Sequence, residues 1–144
     1  SKSSDLIGTE LGGILKNIYA LGLGMIEGQK GICDNFRGIY FSKVLKEMTL
    51  IAKKLGAKKE AMLNTSGMGD LITTCLSESS HNRSFGKKLG QCKVEVLPEG
   101  CNTTKMVIKL AKKKKIKVPI SIAIDKVINC KMKIDGLIKV ILRA

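Results

Sequence analysis

The sequence predicts an all-α fold, and its hydrophobic pattern is the main reason. Apolar residues recur at intervals of three and four along several stretches, the period of a helix with one buried face. No stretch alternates convincingly between apolar and polar residues, apart from a short hint at 94–97. Glycine, asparagine and proline separate the helical stretches. A chain of 144 residues, 44% hydrophobic and 26% charged, is typical of one domain of consecutive amphipathic helices.

The first half of the chain predicts two long helices. The first covers about 5–26 and contains five glycines, each of which costs up to ~1 kcal/mol relative to alanine inside a helix. So many glycines need a packing or functional reason. A polar loop is expected at 28–35. The second helix, at 39–55, is the clearest in the chain, with Glu47 among the charged residues of its polar face and Gly56 at its end.

The second half predicts shorter helices. A short helix is expected from about Asp70, followed by a serine-rich turn within the polar segment 66–86. A turn at 98–100 precedes a helix that Thr103 or Thr104 can cap. Pro119 suits the first turn of the next helix, and 134–142 forms the last. The buried stripe of the helix after the turn is expected to comprise Met106, Val107, Leu110 and Ala111.

Charge and aromatic content argue against a nucleic-acid partner. Basic residues outnumber acidic residues by 26 to 12, which gives a net charge of +14 and suggests a polyanionic partner or a phosphorylated ligand. However, lysine is spread through every polar stretch, and the few aromatic residues do not interleave with basic residues as a base-stacking surface requires. We therefore expect no nucleic-acid partner.

Cysteine and histidine content bears on metal binding and location. Five cysteines form no Cys-x-x-Cys pair, and one histidine is too few for the usual zinc clusters, so we expect no metal and a reducing, cytoplasmic location. The longest apolar stretch, 18–26, is too short to span a bilayer. The chain opens without an initiating methionine or an apolar signal core, so we expect a fragment or a trimmed product.

The first candidate site surrounds one lysine of the first helix. On a helical wheel, Thr9, Gly13, Ala20 and Gly24 lie on the same side as Lys16. Small neighbours leave room beside the ammonium, either for a ligand or for the close approach of another helix. Taken alone, the pattern favours close packing, since lysines usually reach water.

Two further candidate sites lie in the polar segment. Two glycines precede Asp70 at a predicted helix start, where the carboxylate can point in a fixed direction or simply cap the helix. The stretch 79–84 offers hydroxyls, an amide, an imidazole and a guanidinium within six residues. Such a cluster suits a phosphate, although the same composition describes an exposed turn.

Together these pieces carry a resemblance to one family. The chain resembles the C-terminal, substrate-binding domain of NAD(P)-dependent glycerol-3-phosphate dehydrogenases. The matching stretches run in the family's order over essentially the whole chain: GTELGGILKNI at 8–18, DN at 34–35, LKEM at 45–48, GMGDLITTC at 67–75, SHNRSFG at 80–86, EG at 99–100 and VPI at 118–120.

The resemblance implies an architecture and a reaction. The fold is the multi-helical substrate domain of the 6-phosphogluconate-dehydrogenase C-terminal-like type, which here covers residues 1–144. The family's N-terminal dinucleotide-binding Rossmann domain is absent from the sequence, so we expect the isolated chain to be inactive. The implied reaction interconverts sn-glycerol 3-phosphate and dihydroxyacetone phosphate with NAD or NADP, for glycerophospholipid synthesis, and the family makes a homodimer common.

The resemblance also implies roles for particular residues. Lys16 corresponds to the general acid and base at the C2 oxygen, and Asp70 to the residue that orients it. The remaining substrate-binding positions are Asn17, Thr74, Ser80, His81 and Asn82, and the cofactor-binding positions are His81, Leu97 and Glu99.

One departure from the family pattern matters. His81 stands where the family usually has arginine, and a neutral imidazole grips phosphate less well than a guanidinium. Either Arg83 partly compensates, or the activity is reduced or lost. Two other readings of the chain remain: a basic helical module that binds nucleic acid, and a dimerisation remnant without catalysis.

Overall fold

The described part of the chain is entirely helical. The computed structural model describes residues 6–91 and 99–144, with only the backbone of residues 99 and 100. This part contains no strand, which confirms the predicted all-α class, and the 94–97 hint lies outside it. The elements are α1 (Leu6–Lys30), α2 (Asp34–Lys54), α3 (Lys59–Leu63), a π-helical turn (Thr65–Gly69), α4 (Asp70–Leu76), α5 (His81–Gly90), α6 (Glu99–Lys113), α7 (Pro119–Ile128) and α8 (Ile134–Arg143).

Helix α1 is the centre of the molecule. Every residue from Ile18 to Ile26 is buried, because helices α2, α4, α5, α6, α7 and α8 all pack around it. The predicted loop at 28–35 is shorter than expected, since α1 continues to Lys30. Gly28 stays helical because it packs against α5, and Gly31, with φ +70°, follows the last helical residue.

Glycines explain how closely α1 and α5 approach. A β carbon on Gly24 would clash with the carbonyl oxygen of Arg83, and one on Gly28 with that of Lys87. On the other helix, a β carbon on Gly86 would clash with the carbonyl oxygen of Leu21, and Gly90 meets α1 in the same way. The two backbones are therefore in direct contact, and the residue order of the pairs shows that α5 runs in the same direction as α1.

Helix α2 buries a carboxylate that the hydrophobic pattern assigned to the polar face. Its core side includes Tyr40, Val44 and Met48, but Glu47 is only 5% exposed, so its predicted exposure is wrong. Glu47 accepts hydrogen bonds from the backbone N–H groups of Ile120 (2.8 Å) and Ser121 (3.0 Å) at the start of α7. The predicted end of α2 is confirmed, since Gly56 has φ +85° just after it.

The hydroxyls around Glu47 complete a buried polar cluster. Tyr19 Oη donates to Glu47 at 3.0 Å and Ser121 Oγ donates to it at 2.7 Å. Tyr40 Oη in turn donates to the Tyr19 carbonyl at 2.6 Å. Burial, followed by the charge of Glu47, raises the pKa of Tyr19 well above its usual value, so this hydroxyl remains a donor. The cluster joins α1, α2 and α7.

The helices of the second half differ from prediction in two places. Helix α5 is not among the helices predicted from the sequence, and its contact with α1 relies on glycines. Helix α6 covers Glu99–Lys113, so residues 99 and 100 are helical instead of forming the predicted turn, and the predicted caps at Thr103 or Thr104 are wrong; residue 98 lies outside the described residues. Its buried stripe is Cys101, Thr104, Val107 and Ala111, whereas Met106 is 71% exposed and Leu110 is also exposed. Helices α7, with Pro119 in its first turn, and α8 lie where predicted.

Candidate functional site

The predicted partners Lys16 and Asp70 are in contact. Lys16 Nζ donates to Asp70 Oδ2 at 3.2 Å, although 54 residues separate them in the sequence. The lysine side chain is 26% exposed and the aspartate side chain 51%, so the pair lies at the surface, where a ligand can reach it. The amine of Lys16 is therefore held by a carboxylate and is not free in solvent.

Local turn geometry sets the direction of Asp70. Asn64 Oδ1 accepts hydrogen bonds from the backbone N–H groups of Ser66 (3.0 Å) and Gly67 (3.3 Å), and this fixes the π-helical turn. A β carbon on Gly12 would lie 3.0 Å from the Ser66 carbonyl oxygen, so the turn packs directly on α1. Asp70 begins α4 immediately after the π-helical turn. It lies beside Lys16, one turn of α1 beyond Gly12.

The glycine predicted to pack beside Lys16 leaves open space instead. A β carbon on Gly13 would meet nothing within 4 Å among the described residues, whereas its neighbour Gly12 contacts the π-helical turn. Gly13 is three residues before Lys16 and so lies on the same face of α1. Close helix packing thus occurs at Gly12 and Gly24, and the surface beside the amine stays accessible at Gly13.

Helices α4 and α5 follow each other along α1. Gly67 packs near Gly12, Asp70 near Lys16 and Arg83 near Gly24, so both segments run in the direction of α1. At a rise of about 1.5 Å per residue, Lys16 and Gly24 are about 12 Å apart along the helix axis. The turn at 77–80 joins the two helices.

The predicted phosphate residues form the start of α5. Ser80 is the N-cap and is buried, and its Oγ accepts a hydrogen bond from the Arg83 backbone N–H at 3.3 Å. His81 is the first residue of α5 and is exposed, whereas Asn82 is half-buried. Backbone N–H groups of a first helical turn have no acceptor within the helix. This end of α5 therefore presents donors from both backbone and side chains.

The other predicted site residues divide between described and undescribed parts. Asn17 follows Lys16 on α1 and Thr74 lies one turn after Asp70 on α4; both are half-buried. Leu97 lies outside the described residues, and of Glu99 only the backbone, in the first turn of α6, is described. No group of three or more potential metal ligands occurs in the described ranges.

Arg83 does not take the compensating role considered for it. The residue is only 9% exposed. Its Nε donates to Glu27 Oε2 at 2.7 Å and its Nη2 to Glu27 Oε1 at 3.2 Å. Its Nη1 donates to the carbonyl oxygens of Leu76 (3.0 Å) and Ser77 (3.3 Å). All three nitrogens of the guanidinium are therefore engaged inside the fold and do not replace the missing arginine at position 81.

Glu27 is the centre of the ionic cluster that sequence analysis missed. Its side chain is 6% exposed, and Arg37 (3.2 Å) and Lys87 (3.5 Å) approach it in addition to Arg83. Burial raises the pKa of Glu27, but the hydrogen bonds and charge of Arg83, followed by Arg37 and Lys87, outweigh burial and lower the pKa below its usual value. Its position in the apolar helix α1 was the one available signal, since a buried carboxylate requires a partner.

Cys75 is a structural residue in this arrangement. It follows the aspartate helix motif and is fully buried. Burial raises the pKa of its thiol to about 12, so the thiolate that a nucleophile requires is scarce at neutral pH. The reactive groups at this surface are the amine, the carboxylate and the start of α5.

Comparison with known proteins identifies the class. The family model described as the C-terminus of NAD-dependent glycerol-3-phosphate dehydrogenase matches residues 5–139. The chain belongs to this family. This agrees with the resemblance carried by the lysine, aspartate and serine–histidine–asparagine motifs, and with the helical fold.

Individual relatives agree with the family assignment. The chain is 37% identical over 148 residues to the glycerol-3-phosphate dehydrogenase [NAD(P)+] of Parvibaculum lavamentivorans, a match that covers 97% of this chain and 44% of the relative. It is 40% identical over 134 residues to the enzyme of that name from Staphylococcus aureus, covering 88% and 40% respectively. The chain thus spans less than half the length of these relatives.

A solved structure shares the fold. The crystal structure of glycerol-3-phosphate dehydrogenase from Coxiella burnetii superposes with a TM-score of 0.87 at 30% identity, over 99% of this chain and 46% of that one. None of the described helices combines the length and the apolar character needed to cross a membrane.

Proposed function

We propose that this chain is the substrate-binding and catalytic part of an oxidoreductase that interconverts sn-glycerol 3-phosphate and dihydroxyacetone phosphate with NAD(P). The observation that carries the proposal is the 3.2 Å contact between Lys16 Nζ and Asp70 Oδ2, in a chain that belongs to the glycerol-3-phosphate dehydrogenase family. The relatives from Parvibaculum and Staphylococcus are named as NAD(P)+ enzymes of this kind.

Lys16 is the proposed acid and base at the C2 oxygen. In ketone reduction, its ammonium hydrogen-bonds to the carbonyl oxygen and gives up one proton as that oxygen becomes a hydroxyl. In alcohol oxidation, the neutral amine takes the proton back. An ammonium has three N–H donors, so the bond to Asp70 leaves two for the substrate. Asp70 therefore orients the amine without occupying it.

The start of α5 is the proposed phosphate site. Ser80, His81 and Asn82 combine backbone N–H groups with hydroxyl, imidazole and amide side chains at a helix N-terminus, where negative charge is favoured. Asn17 and Thr74, which are half-buried on α1 and α4, are the proposed neighbours of the amine and the substrate hydroxyls. With His81 in place of arginine, we expect weaker binding of phosphate than in relatives with arginine there.

The donor set at the exposed end of α5 also fits a nicotinamide dinucleotide. His81 is exposed there, and imidazole and amide donors suit its phosphates and carboxamide. When bound, NAD(P) supplies or accepts the hydride. His81, Leu97 and Glu99 are the proposed contacts to it.

Other aspects of the proposal concern the whole protein. Residues 1–144 form one helical substrate domain that works together with a dinucleotide-binding domain, in a cytoplasmic homodimer. The names of the relatives support an oxidoreductase, and nothing in them supports the nucleic-acid module suggested by the net charge of +14.

A hybrid enzyme tests the proposal. The dinucleotide-binding half of the Staphylococcus aureus relative is joined to this chain, and oxidation of NADH or NADPH is followed with dihydroxyacetone phosphate. We expect turnover in the hybrid and a loss of about 100- to 10,000-fold in kcat for Lys16→Met, because a general acid contributes about that much.

The control for this test is Lys88→Gln, which also removes one lysine charge, but from an exposed position on α5. Circular dichroism and a thermal unfolding transition establish that each hybrid is folded. A folded hybrid that binds NADH but does not reduce dihydroxyacetone phosphate, or a Lys16→Met variant with unchanged kcat, would contradict the proposed function.

A further inference from the structure

Arg83 occupies an unusual position for a buried arginine. It directly follows Asn82 in the proposed phosphate site, yet its guanidinium points away from the exposed face and into the fold, where it is 9% exposed. Its Nε and Nη2 form a two-pronged bond to the carboxylate of Glu27, at 2.7 and 3.2 Å. Arginine rather than lysine suits this geometry because its fork matches both carboxylate oxygens.

The same guanidinium also holds the end of α4. Its Nη1 donates to the carbonyl oxygens of Leu76 (3.0 Å) and Ser77 (3.3 Å). These carbonyls lie at the C-terminus of α4, where helical carbonyl groups lack intrahelical partners and favour a nearby cation. Arg83 therefore connects three elements: α5, to which it belongs, the end of α4, and α1 through Glu27.

Helix α1 carries both Glu27 and Lys16. The two residues are eleven positions apart, which corresponds to about 16 Å along a continuous helix. Helix α5 cannot slide freely along α1, because Gly24 and Gly28 meet the carbonyl oxygens of Arg83 and Lys87 directly. The ionic contact and the glycine contact thus fix the start of α5 relative to the amine of Lys16.

We propose that Arg83 and Glu27 form a positioning pair that holds the phosphate-binding turn, Ser80 to Asn82, at the distance from Lys16 that a three-carbon phosphate ester requires. The inference rests on the proposed function. Arg83 and Glu27 act through the turn and do not touch substrate. Arg37 at 3.2 Å and Lys87 at 3.5 Å from Glu27 complete the cluster and hold the carboxylate in its charged form.

The test compares two substrates in the hybrid enzyme. Dihydroxyacetone phosphate uses both Lys16 and the turn, whereas unphosphorylated dihydroxyacetone uses Lys16 alone. We expect Arg83→Gln to lower kcat/KM for dihydroxyacetone phosphate by about 100-fold, mostly through KM, because a displacement of about 1 Å has that effect on a positioned group. For dihydroxyacetone, kcat/KM stays within about twofold of wild type, because the lost interaction belongs to the phosphate end.

Conservative variants keep the test decisive. Arg83→Lys retains the charge but loses the fork, so its kcat/KM for dihydroxyacetone phosphate should lie between wild type and Arg83→Gln. Glu27→Gln removes the charge on the other side of the contact with little change of shape, and it carries the test if Arg83→Gln does not fold. Lys88→Gln, an exposed cation on the same helix, should change neither substrate's kinetics.

The outcomes separate the two proposals. An inactive but folded wild-type hybrid overturns the proposed function, and the positioning role falls with it. An active hybrid in which the Arg83 and Glu27 variants lose equal activity toward both substrates shows a merely structural role, and unchanged kinetics shows no role. Either result overturns the positioning pair and leaves the proposed function standing.

Discussion

At the scale of single residues, the proposed role of the contact between Lys16 and Asp70 concerns chemistry more than stability. Both side chains are partly exposed, at 26% and 51%, and exposed ion pairs contribute about 0–1 kcal/mol. The orientation of the amine, in contrast, depends on this one carboxylate in the described structure. The two effects can therefore be separated by substitution.

Asp70→Asn is the variant that separates them. We expect the free energy of unfolding to change by less than about 1 kcal/mol. In the hybrid enzyme, kcat should fall by about 10- to 100-fold, because the remaining amide oxygen carries no negative charge and orients the ammonium less firmly than the carboxylate does. Urea unfolding and steady-state kinetics on the same protein sample measure both quantities. A loss of several kcal/mol in stability, or unchanged kcat, would contradict this account.

Glu47 is the opposite case, a carboxylate important for stability. It accepts hydrogen bonds from Tyr19, Ser121 and the Ile120 N–H, and all of these groups are buried. Removing an acceptor from buried donors costs about 1–3 kcal/mol for each donor left without a partner. The charge of Glu47 also faces the N-terminus of α7, where it is favoured.

We expect Glu47→Ala to lower the free energy of unfolding by about 3 kcal/mol or more, since several buried donors lose their acceptor together. Glu47→Gln should cost less, because one amide oxygen still accepts. Glu60→Gln, at an exposed position on α3, is the matched control and should have little effect. Denaturant titration measures all three, and equal stability of the Glu47 and Glu60 variants would contradict the buried network.

At the scale of elements, the contact between α1 and α5 relies on glycines, which have no side chain. Gly24 and Gly28 on α1, and Gly86 and Gly90 on α5, each leave space that a carbonyl group of the other helix fills. The cost of glycine in a helix interior is thus offset by close packing. Gly38 on α2 differs, because a β carbon there would meet nothing within 4 Å in the described part of the chain.

Two alanine substitutions should therefore have opposite signs. Gly24→Ala pushes the α5 backbone away and should destabilise the protein by about 1–3 kcal/mol. Gly38→Ala adds helix propensity in open space and should stabilise it by up to about 1 kcal/mol. Urea unfolding midpoints of the two variants, compared with wild type, provide the measurement. Stabilisation by both substitutions would show that α1 and α5 are not in backbone contact.

The helices that sequence predicted well are those with large apolar faces. Helices α7 and α8 repeat isoleucine, leucine and valine at helical spacing, and their positions were predicted closely. Helix α5 has few large apolar residues, and its packing surface is glycine, which hydropathy does not register. Helix α6 was predicted to begin too late, so its buried stripe was rotated away from Cys101 and Thr104.

The candidate site was predictable where family motifs mark it and not where buried charges meet partners that no motif marks. The pairing of Lys16 with Asp70 was expected from the family motifs, and the two side chains are in contact. The buried positions of Glu27 and Glu47 were not predicted, because charged residues usually mark a solvated face and their partners lie far along the chain. Glu47, for example, meets backbone groups 73 and 74 residues away.

At the scale of the whole molecule, the ionic cluster around Glu27 makes the free energy of unfolding depend on pH. The chain carries 26 basic and 12 acidic residues, so protonation of its carboxylates leaves the cations unbalanced. Because Glu27 has a pKa below its usual 4.5, the unfolded chain binds its proton more readily than the folded chain. The stability from this residue is present above about pH 4.5 and is lost as the pH falls through the lowered pKa.

Glu27→Gln should therefore make the free energy of unfolding depend less on pH in the acid range. One proton taken up on unfolding contributes up to about 1.4 kcal/mol per pH unit, and the variant lacks this proton. Unfolding free energies of the wild type and the variant, measured between pH 3 and pH 7, should converge as the pH falls. Parallel profiles would show that Glu27 titrates alike in both states.

The touching backbones of α1 and α5 also constrain motion. The carbonyl groups of each helix contact glycines of the other, and no flexible side chains lie between the two backbones at these positions. The two helices therefore behave as one rigid body. Any movement that admits or releases a ligand must carry both helices together. The distance between the Lys16 amine and the first turn of α5 then stays constant while a ligand binds and leaves.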